Sequence, residues 1–443
     1  TESFVQDTLR APAVRQAIRA GVSEALLRAI GRCVLETNGM NNLWLGDEMA
    51  EMARQSVRDF TRQEVEPIAE EIHRNDALAP DALISKMGKL GFFAMSIPET
   101  YGGTGMGFPV MIIITEELSR GSLGAAGSLI TRPEIVAAAL LEGGTEAQKQ
   151  RWLPGIASGE LMVAVSVTEP DIGSDVASLL CRAEPTELDA QPGYFIQGAK
   201  AWCTFAGRGD IIGLLARTDP DPAQGARGLS LFIIEKERCY GHDFLLQQPH
   251  GGIMHGKADA TLGYRGMHSF TINYENYFVP AANLVGEQQG LNRGFYLQMR
   301  GFATGRLQTG GRAVGLAQAA LEKTAMYAKS RTQFGGPLGA YQLTQYKLGR
   351  MATHLAAARQ LTYTAARNME KESDLGLGAA MAKLLASDVA LWLTQEGQLL
   401  HGGWGYAEET PISRYVVDAL VLPIFEGVKP ILELKVIARS LLR

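Results

Sequence analysis

The spacing of apolar residues changes period twice along the chain. From Ala11 to Cys33 apolar side chains recur at helical intervals (Val14, Ile18, Val22, Ala25, Leu26, Ile30), and Asp47 to Ile72 continues this way with mixed charge on the outer face. Asn41, Asn42 and Gly46 interrupt the pattern, so residues 1–46 read as an extra helical segment ahead of a helical domain spanning 47–160. A loop with Pro98 and Gly102-Gly103-Thr104-Gly105 precedes the next apolar helix, about Phe108 to Leu123. Its glycines loosely resemble a phosphate loop but lack the strand-to-helix context such a loop needs.

From about Leu161 the period becomes that of strands. Met162–Val167, Tyr194–Ile196, Ile211–Leu215, Leu229–Ile234 and Phe270–Tyr274 are short β-type runs separated by turn residues. They predict a small antiparallel sheet or barrel over 161–286, closed by Pro280 and Gly286. From about Asn292 helical spacing returns, with long runs at 312–330, 343–371 and 377–400, giving a helical bundle over 287–443. The expected fold is α+β, mostly α: an N-terminal helical domain, a middle antiparallel β domain and a C-terminal four-helix bundle.

Composition narrows the classes. The chain has 443 residues, 46% of them hydrophobic, which suits two or three domains rather than one. Net charge is −5 with Lys and Arg scattered, and no basic stripe argues for nucleic acid. No unbroken apolar run reaches about eighteen residues, so no membrane span is expected. The opening residues lack the basic-then-apolar order of a secretory signal, and Glu2, Asp7 and Glu24 speak against a transit peptide. Cys33, Cys181, Cys203 and Cys239 have no paired spacing and fit reduced thiols in a cytoplasmic protein. His250 and His255 share a Gly-rich loop without a carboxylate or Cys close by in sequence, so no metal site is expected.

Glu426 carries the strongest chemical signal. It sits in Leu-Pro-Ile-Phe-Glu-Gly-Val among apolar neighbours, where burial disfavours the charged carboxylate and shifts it towards use as a general base; the phrase by itself also fits a helix-start Glu with ordinary neighbours. Gly427 frees the backbone beside it. Four further clusters are ordinary one by one. Val167-Thr168-Glu169-Pro170-Asp171-Ile172-Gly173-Ser174-Asp175 is a polar rim or simply a turn. Trp202 and Thr204, two apart, should share one strand face, as an aromatic wall with a donor for a flat heterocycle or as a core Trp with an edge Thr. Arg331-Thr332-Gln333-Phe334-Gly335 suits pyrophosphate binding and stacking, and His401-Gly402-Gly403-Trp404 presents backbone amides; each also fits a helix C-cap followed by a turn.

Taken together and in this order, these motifs resemble the acyl-CoA dehydrogenase family of flavoproteins over about residues 47–443. The resemblance implies that Thr168 and Thr204 hydrogen-bond the FAD ring and that Trp202 walls one side. It places Ser174 in the acyl-CoA channel and Arg306 near the thioester, and it has Arg331 and Phe334 hold FAD across a subunit boundary beside Gly402 and Gly403. Glu426 matches the catalytic base that removes the α-proton while the β-hydrogen leaves as hydride to flavin N5. In this family a ribityl hydroxyl and the backbone N–H of the base stabilise the enolate. Some relatives carry the base just before the Arg; here that position is Gly305, a small residue that leaves room for a branched acyl chain. Val428, Leu399 and Pro430 depart from the usual pattern, and Gln398 is one position off and faces elsewhere.

Phrases such as Glu116–Gly121, Thr131–Ile135, Leu262–Met267 and Ile424–Gly427 look most like the 2-methylsuccinyl-CoA dehydrogenase branch, implying a short, branched, dicarboxylic acyl-CoA. Its tail carboxylate needs a cation; Arg120 and Arg132 are the candidates, with a surface or inter-helix salt bridge as the alternative for each. The implied partners are an acyl-CoA substrate, an electron-transfer flavoprotein and copies of the same chain in a homotetramer built as a dimer of dimers. The competing readings are an oxygen-using oxidase or hydroxylase on the same fold, and a non-catalytic assembly partner docking through residues 1–46.

Overall fold

The computed structural model describes residues 10–21, 23–40, 47–369 and 376–442. The break expected at Asn41, Asn42 and Gly46, and the end of the helix expected to reach Lys371, lie outside the described residues. The first helical run is two helices, α1 (Pro12–Gly21) and α2 (Glu24–Glu36), because Ser23 takes an extended conformation and caps α2 through Leu26 N. α2 is not a free docking arm. Its Gly31 lies so close to a later helix that a Cβ there would sit 1.8 Å from the Gln345 carbonyl, and a Cβ on Gly349 would sit 1.8 Å from the Leu27 carbonyl. The two glycines let the backbones touch.

The next helices are α3 (Glu48–Phe60), α4 (Glu66–Arg74), α5 (Asp81–Lys89), α6 (Gly107–Gly121), α7 (Thr131–Gly143) and α8 (Glu146–Ser158). α6 is buried nearly all round, so its sequence shows little amphipathic contrast. The loop before it uses Gly103 for space, not phosphate: a Cβ there would meet the Ile97 carbonyl at 1.7 Å.

The middle of the chain forms β1 (Val163–Ser166), β2 (Arg182–Leu188), β3 (Gln191–Thr204), β4 (Ile211–Arg217), β5 (Leu229–Glu235), β6 (Asp243–Gln247), β7 (Ile253–Ala258) and β8 (Ser269–Pro280). They make an eight-stranded sheet in the order β1-β4-β2-β3-β8-β7-β6, with β5 paired to β4. Pairing is antiparallel for the most part, but β1 runs parallel to β4, and β2 meets β4 in parallel at Arg182 and Arg217. A parallel neighbour is reached through a long crossover, here β2 and β3, which local turn signals do not announce. β4 and β5 are almost wholly buried, as their unbroken apolar runs require.

The C-terminal helices are α9 (Gly294–Ser330), α10 (Gln342–Met369), α11 (Leu377–His401) and the shorter α12 (Pro411–Ala419). Two segments, Leu123–Gly143 and Leu377–His401, are on average long and apolar enough to cross a membrane, which a search for unbroken apolar runs does not register. Both are packed inside the protein, with 94% and 56% of their apolar windows buried. All four cysteines are free thiols, and Cys181 and Cys203 are buried.

Candidate active site

The base candidate sits on a loop, not on a helix. After α12 the chain descends through the fully buried Leu422, turns, and presents Glu426 at φ +54° followed by Gly427 at φ +100°. A left-handed non-glycine residue is strained and persists only where its surroundings hold it. Here the main chain is held from both sides. Arg306 Nε donates to the Glu426 carbonyl at 3.3 Å, and Lys383 Nζ donates to the Gly427 carbonyl at 2.5 Å. The side chain is left free: Glu426 is half-buried, and its Oε2 is buried without a hydrogen-bond partner among the described residues.

Gly305 has a role that the sequence did not announce. A Cβ there would lie 2.8 Å from Glu426 Oε2 and 3.1 Å from Ile135 Cδ1. The missing side chain makes room for the carboxylate itself. Arg306 likewise orders the Glu426 backbone. Lys383 was not anticipated. Burial pushes its ammonium down to about 7, opposed by Glu426 and reinforced by Arg306 and Arg312.

Arg120 and Arg132 separate cleanly. Arg120 bonds Glu117 (3.1 Å), Glu66 (3.0 Å) and Glu322 (3.2 Å), so it is an inter-helix salt bridge. Arg132 has no carboxylate within salt-bridge distance among the described residues; it donates to the Ser128 carbonyl at 3.2 Å and the Tyr264 hydroxyl at 2.8 Å. Arg312, on α9, donates to the same Tyr264 hydroxyl at 3.3 Å, to Ser128 Oγ at 3.0 Å and to Thr309 Oγ1 at 2.6 Å, again with no carboxylate within salt-bridge distance. Its guanidinium stands 4.5 Å from the ring centroid of Phe425, the neighbour of Glu426. Arg132 is 5% exposed and Arg312 not at all, so two like charges share one neutral phenol out of water. Long helical side chains lean towards the helix N-terminus, so Arg312 reaches back along α9 in the direction of Gly305. Between them Gln308 is fully buried with both amide atoms unpartnered, and Arg312 Nε is unpartnered as well. Glu426 Oε2, the Gln308 amide and Arg312 Nε are thus polar atoms on or beside one stretch of α9, all without hydrogen-bond partners among the described residues.

The β-domain residues form another part. Thr168 follows β1 and takes the Ala201 N–H on its carbonyl at 2.8 Å; its neighbour Glu169 accepts from Leu180 N, Cys181 N and the fully buried Lys200 Nζ (2.8, 2.8 and 3.0 Å), fixing the rim. Trp202 and Thr204 do not share a face. The register slips between Lys200 and Cys203, Trp202 takes φ +59°, and a bulge breaks the alternation. Trp202 is 59% exposed, whereas Thr204 is buried and shares a hydrogen bond with Ser269 at 2.9 Å. The bulge thus presents the indole to solvent. Ser174 is exposed on the loop between β1 and β2.

Arg331, Gly402 and Gly403 line a separate open groove of about 600 Å³ between the ends of α9 and α11, with His401, Trp404 and Leu399. A Cβ on Gly402 or Gly403 would meet nothing within 4 Å. Phe334, on the hairpin that follows Arg331, is 95% exposed at φ +51°. Gln398 points away from this groove and bonds the Gly405 carbonyl at 3.1 Å, while Leu399 is exposed. An exposed indole on a strand bulge, and a groove with a guanidinium and open glycines, fit a flat heterocycle and an anionic linker respectively.

The chain as a whole is similar to known proteins. Models of the acyl-CoA dehydrogenase N-terminal, middle and C-terminal domains match residues 47–160, 164–277 and 292–442. The chain is 40% identical over 433 residues to (2S)-methylsuccinyl-CoA dehydrogenase of Cereibacter sphaeroides, covering 97% of this chain and 76% of that protein. It is similar to the solved structure of butyryl-CoA dehydrogenase from Megasphaera elsdenii, with TM-score 0.81, 29% identity and 91% and 100% of the two chains covered. A glutaryl-coenzyme A dehydrogenase in complex with glutaryl-CoA gives TM-score 0.80 at 30% identity, with 91% and 96% covered.

Proposed function

Because the chain belongs to the FAD-dependent acyl-CoA dehydrogenase family, we propose that it desaturates a short, branched, dicarboxylic acyl-CoA such as 2-methylsuccinyl-CoA between its α and β carbons. The observation that carries the substrate class is the carboxylate-free pair Arg132 and Arg312, sharing the Tyr264 hydroxyl beside Phe425. Two buried cations without an anion are costly, and a carboxylate tail that accepts from both offsets that cost. The relative with 40% identity acts on a substrate of this kind by its name.

Glu426 takes the α-proton. Its free Oε2 and its backbone, held by Arg306 and Lys383, set the carboxylate in place before substrate arrives. FAD supplies the acceptor for the hydride that leaves the β-carbon. Thr168, Trp202 and Thr204 would hold its ring, and Arg331, Phe334, Gly402 and Gly403 its phosphate and nucleotide end. The near-complete exposure of Phe334 supports a reading in which this second group serves the cofactor of a neighbouring subunit, in a dimer of dimers. Reducing equivalents then pass to an electron-transfer flavoprotein.

An anaerobic titration of the flavin-loaded protein with 2-methylsuccinyl-CoA, butyryl-CoA and isobutyryl-CoA tests the proposal. Bleaching of the oxidised flavin absorbance by the dicarboxylic ester, and not by the other two, is expected. Bleaching by a monocarboxylic ester alone would keep Glu426 as base and discard the arginine pair as a carboxylate site.

A further inference from the structure

Three side chains away from Glu426 converge on one point. His242 immediately precedes β6, His268 immediately precedes β8, and Asp76 follows α4 by one intervening residue. The two imidazole Nε2 atoms are 2.8 Å apart; His242 Nε2 is 3.3 Å from Asp76 Oδ2, and His268 Nε2 is 3.3 Å from Asp76 Oδ1. The histidines that sequence spacing singles out do not converge: His255 pairs with Asp243 at 3.1 Å, and His250 lies against Phe195 and Phe278.

Protons alone do not satisfy the triangle. A single N–H between the two nitrogens leaves the other nitrogen's lone pair facing a carboxylate oxygen, and a proton on each nitrogen sets two N–H groups against each other at 2.8 Å. Two imidazole nitrogens and a carboxylate are ligands that Zn²⁺ prefers, and tetrahedral ligands at about 2.0–2.2 Å stand about 3.3 Å from one another. Each His–Asp edge has that length, but to a different carboxylate oxygen, so the ion takes Asp76 through both oxygens or the carboxylate turns to offer one, and the N–N edge has to open. The His268 side chain is 4% exposed and fixes the inner ligand, while His242 at 58% and Asp76 at 38% leave a side open to water. Arg265 Nε also stands 3.5 Å from Asp76 Oδ1, but its guanidinium is engaged by the carbonyls of Thr261 and His73 and flanks the carboxylate.

We propose that Asp76, His242 and His268 form a zinc site, completed by water. The ion would tie the turn after α4 to the β domain, one residue from Ser269, whose hydroxyl bonds Thr204.

The test uses the flavin-loaded protein, dialysed against a chelator and titrated with ZnCl₂ in competition with a chromogenic chelator. Native protein, His242→Ala, Asp76→Asn and the control His255→Ala are compared. His242 and Asp76 are partly exposed, so both variants are expected to fold. The expected result is one equivalent of Zn²⁺ per chain at micromolar affinity or tighter, kept in His255→Ala and lost in the other two. Added Zn²⁺ should raise the thermal midpoint of the native protein and not that of His242→Ala. Absence of stoichiometric uptake, uptake unchanged in His242→Ala and Asp76→Asn, or uptake lost in His255→Ala would each overturn the proposal.

Discussion

Arg120 and Arg132 belong to successive helices, are both nearly excluded from water, and live in opposite electrostatic surroundings. Around Arg120 every charge is answered. Glu117 takes Arg58 and Arg120 (both 3.1 Å), Glu322 takes Arg120 at 3.2 Å, and nearby Glu116 takes Arg359 at 2.9 Å and the Tyr363 hydroxyl at 2.8 Å. Around Arg132 the second charge is another arginine, and among the described residues the only atom that accepts from both is the phenol of Tyr264. A buried ion costs several kcal/mol unless paired. The first cluster is therefore part of the scaffold that joins α3, α6, α9 and α10. The second carries an unanswered cost, which under the proposed function the carboxylate of the substrate offsets.

The sharpest way to break this contrast is to remove one carboxylate from the settled cluster and one cation from the unsettled pair. Glu117→Gln leaves Arg58 and Arg120 short of a counter-charge and is expected to lower unfolding free energy by about 3–5 kcal/mol, read from urea denaturation. Arg132→Met should lose little stability or gain some, because it deletes a buried like-charge repulsion. Equal losses in the two variants would mean that both clusters are structural.

Next in size is the separation of chemistry from recognition. Glu426→Gln keeps the loop, since Arg306 and Lys383 hold backbone atoms, and removes the base; turnover should fall by about 10²–10⁴-fold with flavin content unchanged. Arg132→Met and Arg312→Met should instead act on one class of ester. Losing a charge-assisted bond of about 1.5–3 kcal/mol lowers kcat/KM for the dicarboxylic thioester by roughly 10–100-fold. Butyryl-CoA turnover should stay within a few-fold. A uniform loss for every ester would show that the pair only shapes the pocket.

The sequence makes one half of this contrast easier to read than the other. Period alone outlines α9, α10, α11 and most strands, and the Ile-Phe-Glu-Gly phrase marks the loop of the proposed base Glu426. Arg132 stands out because it opens an apolar helix. Arg312 hides in a long helix, yet a signal exists: no acid occurs between Gly305 and Leu321, so Arg312 has no local partner at helical spacing. The parallel placement of β1 and the bulge at Trp202 depend on pairing with strands distant in sequence, which local spacing does not encode. The role of Gly305 is hidden for the same reason, since its neighbour in space is Glu426. The Asp76, His242 and His268 cluster draws on three separate segments, whereas the Gly-rich phrase around His250 draws the eye.

Lys383 stands between the two arginine settings and gives the smallest predicted effect. It has a carbonyl partner and the attraction of a half-buried Glu426, yet burial still brings it down to about 7, well below the unfolded value of about 10.4. Between these two values the unfolded chain binds a proton that the folded chain does not, so this group's contribution to stability rises with pH from about 7 upward and is lost as pH falls to 7. The difference in thermal midpoint between the native protein and Lys383→Met should therefore be flat below about pH 6 and move in favour of the native protein between about pH 7 and 9. A difference that stays constant across that window would mean that Glu426 keeps Lys383 charged throughout. Lys383 would then belong with Arg120, a cation already answered, and the unsettled charge near the base would be confined to Arg132 and Arg312.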